Sequence, residues 1–86
     1  MYGSHSAHVE SFYESVGSAG TLADVWDLVK RLSDQLKRSL TPQAVEAIKA
    51  VVHPIILSLT AGHPILSAFA IKVIDSLLDR MVTVMA

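Results

Sequence analysis

Cysteine is absent from the 86 residues, which excludes disulfides, thiolate metal sites and a thiol nucleophile. Asparagine is absent too, so there is no N-glycosylation acceptor and no Asn cap, and side-chain amides are confined to Gln35 and Gln43. Charge is scarce. Asp, Glu, Lys and Arg make up 17% of the chain, against about 25% in ordinary globular domains. The formal net charge is −1, far from the strongly basic balance of a dedicated DNA binder. The opening MYGSHSAHVE has neither the basic n-region nor the apolar h-region of a secretory leader. The expectation is therefore a chain without a signal peptide, intracellular unless it is built into a particle.

What the chain has in abundance is apolar surface. Hydrophobic residues make up 51%, and the 22 residues between Lys49 and Lys72, AVVHPIILSLTAGHPILSAFAI, contain no acid or base. A membrane-spanning helix needs about 20 apolar residues in an uninterrupted run. Here His53-Pro54, Ala61-Gly62 and His63-Pro64 break the run. A chain of this size buries only about 60–65% of its unfolded surface when it folds alone. The apolar positions exceed what one small core needs, and exposed apolar patches mark interfaces. The simplest cover is a second copy, so a homo-oligomer is expected.

Punctuation divides the chain into helical pieces. Residues 1–6 read as a flexible lead, and Val9, Phe12, Tyr13 and Val16 form the stripe of a short amphipathic helix that ends in the Gly17–Gly20 region. Thr21 is an N-cap, with Asp24 as a capping-box partner, for a helix over 21–39. Its apolar stripe is Leu22, Val25, Val29, Leu32, Leu36 and Leu40. Its polar face offers Asp27–Arg31, Lys30–Asp34 and Asp34–Arg38 as i, i+4 ion pairs. Thr41-Pro42 starts a third helix over 42–60, with a kink or break expected near 53–54 because Pro54 cannot donate a backbone bond. Ala61-Gly62 closes it, and a last helix is expected over 64–85. The fold class is all-α: residues 1–20 as a lead with a short amphipathic helix, and residues 21–86 as an antiparallel hairpin or bundle of Pro-kinked apolar helices, completed by oligomerisation.

Candidates for chemistry are few. His5 and His8 could share a helical face with Glu10 or Glu14, but a zinc site wants three or four ligands in closed geometry, and no metal site is expected. His53 and His63 precede prolines at helix junctions and are expected to cap backbone groups. No Ser sits in a Gly-x-Ser-x-Gly elbow, and the carboxylates are scattered. Neither an enzyme, a cofactor nor a small-molecule substrate is indicated. Lys30, Arg31, Lys37 and Arg38 fall within an arc of about 120° at 100° per residue, a row that can track phosphates non-specifically. Asp27 and Asp34 share that arc, so a solvated, salt-bridged face competes with the nucleic-acid reading. For self-association the candidates are Trp26 and Leu28, which flank the second helix's stripe. With them stand Ile55, Ile56 and Leu59, on a face wider than a half-buried helix needs, and Leu66, Phe69 and Ile74 in the last helix.

In size and character, VWDLVKRLSDQLKRSL followed by HPIILSLTAGHPILSAFAI resembles the small helical coat proteins of rod-shaped or filamentous viruses, particularly archaeal ones. The resemblance implies a virion subunit whose short apolar helices stack side by side and turn a few bases toward the genome. It carries over no site residue. Two other readings stay open: a soluble dimerising or docking module, which needs only one apolar face, and a membrane-associated hairpin in which residues 51–71 enter the bilayer.

Overall fold

Two helices of this chain begin where free backbone N–H groups meet a side-chain acceptor. Thr21 Oγ1 accepts from the Asp24 N–H at 3.1 Å, and the Asp24 carboxylate accepts from the Gly20 N–H at 3.1 Å, a reciprocal pair of the capping-box kind. Thr41 Oγ1 accepts from the Ala44 N–H at 3.1 Å, with Pro42 leading the helix. In the computed structural model, which describes residues 3–83 and the side chains of 7–83, four helices result. They are α1 (Gly3–Gly17), α2 (Leu22–Leu36), α3 (Pro42–Leu59) and α4 (Pro64–Asp79).

The middle of the molecule is the α2–α3 pair. Helix α1 packs on α2 and α3, α4 packs on the same two helices, and the α1 and α4 backbones do not approach within 8 Å of each other. Phe12 and Val16 of α1, Val25, Val29 and Leu32 of α2, and Ile48, Val52 and Ile56 of α3 meet Ile74 and Leu78 of α4 in one core. The molecule measures 42 × 27 × 18 Å. Its thin dimension holds about two helix layers at the usual 8–10 Å spacing, so every helix keeps an outward face.

Element boundaries depart from the sequence expectation at four places, each for a local reason. The backbone is helical from Gly3, where a flexible lead is expected over 1–6, because Phe12 and Val16 anchor α1 in the core. Helix α2 ends at Leu36 rather than Ser39: the Ser39 hydroxyl donates to the Leu36 carbonyl, and Lys37 turns out of the helix at φ 53°. Of the kink or break expected near 53–54, the break does not occur: helix α3 runs unbroken through Pro54. Ala50, whose carbonyl loses its usual donor, and Pro54 are both exposed, so water can satisfy that carbonyl while Val52 and Ile56 stay packed beneath.

Helix α4 stops at Asp79 rather than continuing to 85. The Leu40 N–H donates to the Met81 carbonyl at 3.1 Å and the Thr83 N–H to the Leu40 carbonyl at 2.8 Å, a short parallel bridge between Leu40 and Val82. Val82 and Thr83 are β-branched and yield readily to an extended conformation. Residues 84–86 of the expected helix lie outside the described residues. The turn between α3 and α4 is closed by Gly62 at φ 85°, a conformation that suits glycine. The Thr60 hydroxyl donates to the Ile56 carbonyl at 2.7 Å just before it. Among the described residues no helix is long and apolar enough to cross a membrane.

Candidate functional site

The site begins with the geometry of α4. Ser67, Ile74 and Leu78 are its buried residues, and at 100° per residue Ile65 stands 180° from Ile74. Phe69 lies one turn beyond Ile65 on the outward side. Because α1 lies across the α2–α3 pair, it leaves this face uncovered. Ile65 is 85% exposed and Phe69 66% exposed, and Trp26, projecting from α2 beside them, is 39% exposed.

Between α2 and α4 runs a groove of about 180 Å³. Leu22, Val25 and Trp26 form one wall and Leu66, Ala70 and Val73 the other, with Phe69 and Ile74 completing the lining. A hollow at the α3–α4 turn, lined by Gly62, Pro64 and Ile65, adjoins it through Leu66 and Phe69. A further depression continues past Trp26 and Val73 to Ser76 and Arg80. The result is a trough along α4 in which the first charged residue met is Arg80. A second apolar face, on the outer side of α3, carries Leu57 at 54% exposure, with exposed Val51 and Pro54.

The residues expected to mediate self-association therefore divide. Trp26, Leu66 and Phe69 lie together on the trough. Leu28, Ile55 and Leu59 are half-buried and pack against the core. Ile56 and Ile74 are corrected: at 0% and 4% exposure they hold this chain's own helices together, Ile56 wholly inside the core and Ile74 reaching the surface only as part of the groove lining. Ile65, Leu57 and Val51 were missed as surface residues. The signal was available for Ile65, since it stands opposite Ile74 on the same helical wheel and both cannot face the core.

The basic arc is also rearranged. Lys30, Arg31, Lys37 and Arg38 are all exposed, but Lys37 and Arg38 follow the end of α2, so one helix face does not align the four. None of the three expected i, i+4 pairs is among the ion pairs of the described residues. Those pairs are Lys49–Glu46 at 3.4 Å, Lys49–Asp79 at 2.8 Å and His53–Asp75 at 2.6 Å. The last two form successive rungs between antiparallel α3 and α4. Asp79, by accepting the Lys49 hydrogen bond, raises the lysine's pKa above its ordinary value; burial opposes this, and the charges of Asp79 and Glu46 reinforce it. Burial also raises the Tyr13 phenol.

The two prolyl-preceding histidines do not cap with their rings. His53 Nε2 bonds the Asp75 carboxylate, and the His63 side chain makes no cap bond. His63 works through its backbone, its N–H donating to the Thr60 carbonyl and its carbonyl accepting from the Ser67 N–H. The His5 side chain lies outside the described residues, and among the described ones no three His, Asp or Glu side chains gather. What this arrangement can do chemically is take up apolar surface. Comparison with protein-family models, curated proteins and solved structures returns no match, so the functional reading rests on this geometry.

Proposed function

We propose that the chain is a structural subunit that self-assembles through apolar helix faces, as a virion coat or filament protein does. The observation that supports this most is the uncharged, outward-facing surface of α4 around Ile65 and Phe69 beside Trp26. With Leu66 these residues expose on the order of 500 Å² of mostly apolar surface, taking 150–250 Å² for a large aromatic side chain. Covering it contributes on the order of 12 kcal/mol per copy at 25 cal/mol per Å². Association costs roughly 4–15 kcal/mol for the pair, plus the ordering of interface side chains, so only the surplus of this gain appears as affinity. The separate apolar face around Leu57 and Val51 gives a second contact, which growth beyond a closed pair requires. A dimerising module would use the trough alone.

Negative-stain electron microscopy of the purified protein, without detergent, tests this reading. Filaments or particles of regular size are expected, and a field of isolated small molecules would overturn the assembly proposal. Within it, Lys30, Arg31, Lys37 and Arg38 are the candidate genome-facing bases, acting non-specifically and many copies at a time. Replacing all four with Gln should leave assembly intact and abolish nucleic-acid retention. Unchanged retention would make them a solvated face.

A further inference from the structure

We infer that the α2–α4 trough is an isologous interface, in which Phe69 of each copy seats in the groove of the other, against Trp26, across a two-fold axis near Phe69. This rests on the self-assembly reading and names the contact from which assembly starts. An isologous pair needs one patch that carries both the projection and the recess that receives it. This face has both: Ile65 and Phe69 stand out from α4, and the groove that Phe69 itself borders measures about 180 Å³. An apolar cavity of about 150 Å³ holds a benzene molecule, so a phenyl ring is the right size for the recess.

The area agrees with the same occupant. A stable interface of standard size takes about 800 Å² from each partner. The apolar patch of on the order of 500 Å² supplies its centre. Lys72 and Ser76, exposed farther along α4, and Arg80 just past its end supply the polar rim that such interfaces carry. No Asp or Glu lines the groove, so closing two copies over it buries no carboxylate.

Trp26 is the single tryptophan of the chain, which makes it a built-in reporter. A dilution series of the full chain, followed by tryptophan emission and sedimentation together, tests the inference. Emission should move to shorter wavelength as the smallest associated species, a dimer, forms. Phe69→Asp should remove that shift while the far-ultraviolet circular dichroism stays unchanged, because the position is on the surface. Association that leaves Trp26 emission unmoved, that survives Phe69→Asp, or that starts from a trimer would overturn the isologous groove and leave self-assembly standing. A monomer at every concentration would overturn both.

Discussion

Two side chains one turn apart on α3, Lys49 and His53, reach two carboxylates one turn apart on α4, Asp79 and Asp75. These rungs bridge the antiparallel helices α3 and α4, and α4 also forms one wall of the trough. Lys49 has a raised pKa, chiefly because Asp79 accepts its hydrogen bond. A raised lysine pKa stabilises the fold fully below the unfolded value of about 10.4 and loses that stabilisation as pH rises through the folded value. Lys49→Met should therefore lower the urea midpoint at about pH 8, by an amount equivalent to about 0.5–1 kcal/mol after solvent screening. The gap should narrow as pH rises past the unfolded value of about 10.4 and through the raised folded one; a gap that widened there would contradict the pairing. Each partner is visible in the sequence, yet the pairing was not. Lys49 and His53 look like isolated polar residues in an apolar segment until α3 and α4 are aligned.

Caps are local, and they were legible: Thr21 and Thr41 each bind the N–H three residues on, as their spacing to Asp24 and Ala44 requires. Helix ends set by distant contacts were not. The bridge that stops α4 joins Leu40 to Val82, and no window along the chain contains both. Pro54 shows the same competition in reverse. A proline inside a helix costs about 3 kcal/mol relative to alanine, yet α3 continues through it because buried Val52 and Ile56 keep both halves on the core. Pro54→Ala should raise stability by about 1–3 kcal/mol, read as a higher urea midpoint with an unchanged slope. A loss of stability would mean that the helix path depends on the proline.

At the scale of the molecule, the apolar excess legible in the composition is divided by topology. Packing α1 and α4 each against the α2–α3 pair and not against each other sends Ile56 and Ile74 into the core and leaves Ile65 and Phe69 outside. The helical wheel sets Ile65 opposite Ile74, but which of the two faces inward is decided by the packing order. The central claim is that this uncovered face drives self-association. Sedimentation velocity at micromolar concentration, without detergent, measures it most directly. The account predicts species well above the 9.3 kDa of one chain, reduced toward the monomer by Phe69→Asp with helicity retained. A single 9.3 kDa species for the unaltered protein would contradict it.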